Sequence, residues 1–237
     1  MRSGVLTRIE DDMATFRTSR FIDFDAGLVR VPPMVLQNSL PPREHQSVDQ
    51  MLLLFECRVD VWKFGPAVEM LKAMDVAGDQ ESVWAHAAYA LLDVMCSYFE
   101  MVGKILNPGS RGSGTARPDF NHGFCDVYSE FGTAGPDKSD VALPVVKAFR
   151  DRLRNGIYHL GYTKTDLMIH NQPFNYPRDF MVISEGGRDF YLVNPHQMTR
   201  TVVAHFVGVM SRLRDCSPEF EPMQSKFREF FVDYHVA

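Results

Sequence analysis

One long stretch of this chain, residues 80–106, has the pattern of a helix that is apolar on two adjoining faces. The first face carries large side chains at helical spacing: Trp84, Leu91, Met95, Tyr98, Val102 and Ile105. The second face carries Tyr89, Leu92, Cys96 and Phe99. A helix with so little polar surface has to be surrounded by others. The sequence therefore predicts a mainly α fold, a helical bundle with this helix at its centre.

Further helices are predicted on both sides of the central one. Residues 48–62 place apolar side chains, Trp62 among them, on one helical face. Gly65-Pro66 is expected to break that helix and to begin a short one that ends near Met74. Weaker periodicity predicts helices over residues 120–131 and 141–160. The last two helices are predicted to begin at Asn194-Pro195 and at Ser217-Pro218, where a capping residue precedes proline.

A β-hairpin is predicted late in the chain. Residues 180–184 and 189–193 are rich in strand-forming side chains, and the glycines between them suit a tight turn. Residues 1–45 are predicted to form an irregular extension, with a short hairpin near residues 21–31. We expect a single domain over 1–237, with a core at 80–214 and a C-terminal helix at 215–237.

Charge and cysteine content narrow the functional classes. The net charge of -5 argues against a broad nucleic-acid-coating surface, although a small basic cleft is compatible with it. The four cysteines lie far apart and form no CxxC pair, so reduced thiols are expected and no metal site or cofactor is predicted. The first 13 residues lack the apolar segment of a signal peptide, and no apolar run is long enough for a bilayer. A cytoplasmic protein without membrane contact is expected.

The most informative short motif is Arg154-Asn155-Gly156-Ile157-Tyr158-His159. RNA carries its own nucleophile, the 2′-hydroxyl, so cleavage requires proton transfer and stabilisation of charge on the phosphorus. Histidine suits proton transfer because its pKa lies near neutrality. Arginine suits the phosphate because its planar fork donates paired, charge-assisted hydrogen bonds.

This R-N-x-x-x-H motif, at the end of an amphipathic and locally basic helix, resembles that of the HEPN family (higher eukaryotes and prokaryotes nucleotide-binding domains). HEPN proteins are small helical bundles, many of them ribonucleases, with an arginine followed four to six residues later by a histidine. The order of elements over residues 80–214 is also similar to theirs. The resemblance implies a metal-independent endoribonuclease in which His159 is the acid/base, Arg154 clamps the phosphate and Asn155 orients the phosphate or the imidazole.

Helical geometry limits how the motif can act. Five residues on a straight α-helix place Arg154 and His159 about 140° apart around the axis, with a rise of about 7.5 Å. They can share one phosphate if the helix ends or bends between them, for which Gly156 is the weak point. The alternative is that two copies of the chain meet across a dimer, so that their motifs share one phosphate. HEPN nucleases commonly place two motifs across a subunit interface, so a homodimer is predicted.

The surroundings of the motif are basic. Between residues 147 and 164, five basic residues stand against one acid, a local charge of +4. Lys147 and Arg150 are predicted to contact the substrate. Tyr158 can stack on a base, and the alternative is that it packs in the core or in an interface. The central helix has one polar stripe, formed by His86, Asp93, Ser97, Glu100 and Lys104. Glu100 of this stripe is predicted to orient the motif. The alternative is that the basic run is a solvated helix face in which Arg154 pairs with Glu100 or Asp93.

Three functions therefore remain open. The first is the endoribonuclease. The second is a non-catalytic helical dimer that binds RNA, a nucleotide or a regulatory partner protein through the same cleft. The third is a structural domain in which Arg154 and His159 are satisfied core groups. Convergence of the two side chains in an open groove favours the first two functions, whereas burial against Glu100 or Asp93, with no access from solvent, favours the third.

Overall fold

The computed structural model describes residues 40–41, 45–77, 81–106, 116–129, 144–160, 166–169 and 178–234. The predicted N-terminal extension, residues 1–45, lies largely outside them. The helices are α1 (Val48–Val59), α2 (Gly65–Ala77), α3 (Glu81–Leu106), α4 (Ala116–Val127), α5 (Pro144–Ala148), α6 (Asn155–Leu160), α7 (Pro195–Arg214) and α8 (Glu221–Tyr234). A mainly α fold with a small sheet late in the chain is confirmed.

Helix α3 lies at the centre, as its two apolar faces predicted. It contacts α2, α4, α7 and α8. Its fully buried side chains come from both predicted faces, and they include Leu92, Met95, Tyr98 and Phe99. Around it, the rings of Phe64 and of Phe206 in α7 pack edge-on, and Phe206 and Phe124 of α4 pack edge-on against the α3 rings. Burial of this aromatic surface stabilises the bundle, and it fixes the polar stripe of α3 in place.

Helices α3 and α4 approach each other so closely that their backbones touch. A Cβ atom added to Gly103 would overlap the carbonyl oxygen of Asp119 and lie 2.8 Å from its Cα atom. A Cβ atom added to Gly123 would overlap the carbonyl group of Phe99. Glycine inside a helix costs about 1 kcal/mol relative to alanine, so these two glycines are explained by the close contact.

Two segments of the described chain are π-helical, Asp60–Phe64 and Phe149–Arg154. The first joins α1 to α2, so the break predicted at Gly65-Pro66 is wrong. Pro66 lacks an N–H group and would clash with the carbonyl four residues before it in an α-helix. The wider turn, in which the Gly65 N–H group donates to the Asp60 carbonyl, accommodates the proline without ending the helix.

The same π-helical turn corrects the predicted orientation of Trp62. The α-helical period placed Trp62 on the buried face, yet 61% of its surface is exposed, and Phe64 is buried instead. A π-helix turns through a smaller angle per residue than an α-helix, because its hydrogen bonds span five residues. After this turn, the buried face therefore includes Phe64 and no longer includes Trp62.

The sheet has three strands in the order β1-β3-β2, where β1 is Leu167–Ile169, β2 is Phe180–Glu185 and β3 is Arg188–Val193. The predicted hairpin is confirmed: β2 pairs antiparallel with β3 through Gly186 and Gly187, whose φ angles are +58° and +76°. Strand β1, which pairs parallel with β3, extends the predicted hairpin to a sheet. The face bearing Tyr191 and Val193 packs on the helices.

The capping signals near the end of the chain correspond to real helix starts. The Asn194 side chain accepts a hydrogen bond from the Gln197 N–H group, and Pro195 is the first residue of α7. Ser217 precedes a short 3-10 turn that leads into α8. None of the helices in the described part of the chain combines the length and apolarity needed to cross a bilayer.

Candidate functional site

Arg154 is the last residue of the second π-helical segment, immediately before α6. Its Nε atom donates to Oε1 of Glu100 on α3 at 2.5 Å, and its Nη1 atom donates to Oδ1 of Asn155 at 3.0 Å. The side chains of Arg154 and Glu100 are 19% and 16% exposed. The pairing of Arg154 with Glu100, which the sequence left open, is therefore present. The guanidinium is held on two sides but still reaches the surface.

The other arginines of this π-helical segment are paired as well. Arg150 donates from Nε to Asp151 and from Nη1 to Asn121 of α4, at 3.0 and 3.1 Å. Arg152 donates to Asp166, and its guanidinium lies 5.0 Å from the centre of the Tyr191 ring. Each arginine thus has an acidic partner, and the acids paired with Arg152 and Arg154 lie outside residues 147–164, so they compensate two of the four net positive charges counted there.

The remaining predicted site residues differ in their placement. Arg150 is buried, so its guanidinium joins α4 to the motif segment and is not placed to contact a substrate, contrary to the prediction. Lys147 is exposed on α5. Tyr158 and His159 lie on α6 by their backbone, and their side chains fall outside the described part of the structure. The roles predicted for these two residues stay predictions.

Helix α6 runs from Asn155 to Leu160 through Gly156, which is buried. The helix changes from π to α between Arg154 and Asn155, and it then continues as an α-helix through Gly156 to His159. Four of the five steps from Arg154 to His159 follow α-helical geometry, so the two residues stay well separated around the axis, as on a straight helix, where the angle is about 140°. The helix does not end at Gly156, and the meeting of two copies stays a prediction.

The polar stripe of α3 receives a second cation, which the sequence did not reveal. The Lys63 ammonium, from the first π-helical segment, donates to the Ser97 hydroxyl, which donates to the Val94 carbonyl at 3.2 Å. Burial lowers the pKa of Lys63, and the carboxylates of Asp93 and Glu100 oppose that effect. The stripe was visible in the sequence. Lys63 was not, because the π-helical turn directs it away from its α-helical position.

A separate polar group joins α3, α4 and α7. The Tyr98 hydroxyl lies 2.7 Å from Nδ1 of His205, and Nε2 of His205 lies 3.0 Å from Oδ2 of Asp126. Arg212 is 3.9 Å from the same carboxylate oxygen. Tyr98 is fully buried, and burial raises the pKa of its hydroxyl. Both ring nitrogens of His205 face polar atoms, so this group suits fixing the helices better than binding a ligand.

Among the described residues, no cluster of three or more histidine, cysteine, aspartate or glutamate side chains could hold a metal ion. Comparison with protein-family models, with curated proteins and with solved structures found no match. The resemblance to HEPN proteins therefore stays a prediction from the motif and from the order of elements in the sequence. The candidate site consists of Arg154, Asn155 and Glu100, with Ser97 of the α3 stripe and its donor Lys63 beside them.

Proposed function

We propose that the chain is a HEPN-like, metal-independent endoribonuclease in which Arg154 binds the scissile phosphate and His159 transfers protons. The observation that carries this proposal is the placement of the Arg154 guanidinium. It is partly exposed and oriented by Glu100 and Asn155, directly before the helix that bears His159. An arginine that is already oriented loses less conformational entropy when it binds a phosphate.

The fixed neighbours of Arg154 define separate roles in this proposal. Glu100 and Asn155 hold Nε and Nη1, so the plane of the guanidinium is set before substrate arrives. In this proposal Asn155 orients the Arg154 guanidinium. The sequence had predicted a different role, in which Asn155 orients the phosphate or the imidazole. Charge-assisted hydrogen bonds from this group stabilise the negative charge that develops on the phosphorane oxygens.

The reaction balances without a metal ion. The 2′-oxygen attacks the phosphorus as a base removes its proton, the bond to the 5′-oxygen breaks, and an acid protonates the leaving oxygen. The products are a 2′,3′-cyclic phosphate and a 5′-hydroxyl. Because the helix continues from Arg154 through α6 to His159, these two residues of one copy are separated around its axis. In a homodimer, Arg154 of one copy can lie close to His159 of the other. The dimer also has two copies of His159, one for each proton transfer.

The test is incubation of the full chain with mixed RNA in EDTA, beside His159→Ala and His45→Ala. His45 is exposed and distant in sequence from the motif, so it controls for loss of a histidine. We expect His159→Ala to lose at least about 100-fold in cleavage rate, because general acid–base catalysis contributes that much. His45→Ala should cut like the parent, and end-group analysis should show cyclic phosphate.

Two outcomes contradict the nuclease. In one, a parent chain shown to be dimeric by sedimentation cuts no RNA. In the other, the parent and His159→Ala cut at equal rates, which would assign the activity to other residues or to a contaminant.

A second candidate function is a dimer that binds a phosphate-bearing ligand without cutting it. The observation that favours it is the Arg154–Glu100 ion pair, which already compensates the arginine in the free chain. On this proposal Glu100→Gln should strengthen RNA binding, because the guanidinium then has no competing carboxylate, while no cleavage product forms. On the nuclease proposal the same variant should lower the cleavage rate, because Arg154 loses its orientation.

A further inference from the structure

Trp62 has an unusual position for a large aromatic side chain. It is the most exposed of the large apolar side chains in the described residues, at 61%. The guanidinium of Arg58, a buried residue one turn earlier, lies 5.8 Å from the centre of its ring. An indole that is supported by a cation and open to solvent is partly ordered before any ligand arrives.

The neighbouring residue, Lys63, connects this ring to the Arg154 site. The Lys63 ammonium donates to Ser97, and Arg154 is bound to Glu100, three residues further along α3. Residues three apart on a helix have Cβ atoms about 5–6 Å apart. Two cations from two different π-helical segments therefore meet adjacent positions of one polar stripe. π-Helical turns occur often at functional sites.

We propose that the π-helical segment Asp60–Phe64 binds single-stranded RNA, with Trp62 stacked on a base and Lys63 in contact with the sugar–phosphate backbone that leads to Arg154. The choice of RNA rests on the proposed function above. Binding of the strand through this segment does not require cleavage, so the two proposals can be tested apart.

The chemistry of the segment fits a strand of this kind. Stacking on an exposed aromatic ring tolerates any base, and an adjacent cation follows the backbone. Burial disfavours the charged form of Lys63, so an arriving phosphate stabilises the ammonium. Trp62 is the one exposed large apolar side chain of the segment Asp60–Phe64, whereas a stable protein interface has a larger apolar centre.

The experiment measures anisotropy of a labelled 2′-O-methyl RNA of about 12 nucleotides, a length typical of such sites. This strand lacks the attacking hydroxyl and cannot be cut by transfer to the 2′-oxygen. Trp62→Leu should bind about tenfold more weakly or worse, because a stacked base is lost. Lys63→Met should bind more weakly, with a salt dependence reduced by about one ion. Lys72→Met, an exposed lysine on α2, is the matched control and should bind like the parent.

A second readout follows the ring itself. The chain has two tryptophans, so Trp84→Phe leaves Trp62 as the only indole. Titration of this variant with the same strand should quench its fluorescence. The absence of quenching, with tight binding by anisotropy, would overturn the stacking role of Trp62.

The outcomes separate the two proposals. If the strand binds as described but RNA is not cut, the nuclease fails and this inference stands. If RNA is cut and Trp62→Leu and Lys63→Met leave KM and binding unchanged, this inference fails alone. Loss of the dimer in Trp62→Leu, with unchanged affinity for the strand, would overturn it by showing that the ring lies between copies.

Discussion

Replacing Gly103 with alanine is expected to lower the free energy of unfolding by about 3 kcal/mol or more. The added Cβ atom would overlap the backbone carbonyl of Asp119, and no side-chain rotation can relieve a clash with backbone. Helix α4 would have to move away from α3, opening gaps among the aromatic rings that both helices share. Urea unfolding followed by circular dichroism measures the change.

The matched control for this prediction is Gly208→Ala. Gly208 is exposed on α7, and a Cβ atom there would meet nothing within 4 Å. Alanine favours the helix at such a position, so we expect a gain of up to about 1 kcal/mol. Gly123→Ala should behave like Gly103→Ala because its Cβ atom would overlap the Phe99 carbonyl. Unchanged unfolding of both clashing variants would contradict the close packing of α3 on α4.

The packing of α3 on α4 also bears on the candidate site. Asn121 of α4 accepts a hydrogen bond from Arg150, which lies in the π-helical segment that ends at Arg154. Glu100, the partner of Arg154, lies on α3 close to Gly103. A shift of α4 away from α3 therefore disturbs the hydrogen bond from Arg150 to Asn121 and, through the motif segment, the one from Arg154 to Glu100. Ligand binding at Arg154 should weaken in Gly103→Ala even at temperatures where the variant remains folded.

Much of the helical fold could be predicted because its signals are local. The apolar faces of α3 repeat over several turns, and Asn194-Pro195 combines a cap with a preset backbone angle. The two glycines at the hairpin turn adopt the positive φ angles that made them predictable. Strand β1 has three residues, too few for an alternating pattern, and it pairs with a strand more than 20 residues later in the chain.

The candidate site was predictable in position but not in its electrostatics. The motif placed Arg154 and His159 on one helix, but the acidic partners of its arginines come from elements far apart in sequence, such as Glu100 and Asp166. A count of local charge cannot include such partners. Lys63 and Trp62 were missed or misplaced for a different reason, because a π-helical turn interrupts the α-helical period on which the prediction depended.

Replacing Arg214 with methionine is expected to destabilise the protein increasingly above neutral pH. Glu56 of α1 is only 1% exposed, and Arg214 at the end of α7 donates to both of its carboxylate oxygens. Burial raises the pKa of the Glu56 carboxyl from 4.5 to about 7, against the opposing effect of Arg214. Without the arginine, the folded-state pKa rises further, since an unpaired buried carboxylate is costly.

The sign of the pH dependence follows from the direction of that shift. The folded parent binds a proton more tightly than the unfolded chain does, so its stability falls as pH rises from 4.5 to about 7. Below about pH 6, Glu56 is protonated in both folded proteins, so Arg214→Met should cost little there. Above pH 7, Glu56 ionises in the folded parent but stays protonated in folded Arg214→Met. The difference in unfolding free energy between the two proteins should therefore grow by about 1.4 kcal/mol per pH unit, to about 3 kcal/mol near pH 9.

Chemical unfolding of the parent, Arg214→Met, Glu56→Gln and the double variant across this pH range isolates the pair. In the Glu56→Gln background no carboxylate is left to ionise, so Arg214→Met should cost the same amount at every pH. A cost of Arg214→Met in the parent that is equal at about pH 6 and pH 9 would show that the arginine acts by packing its stem. A cost that grows with pH only when Glu56 is present would identify the Arg214–Glu56 pair as the charged contact between α1 and α7.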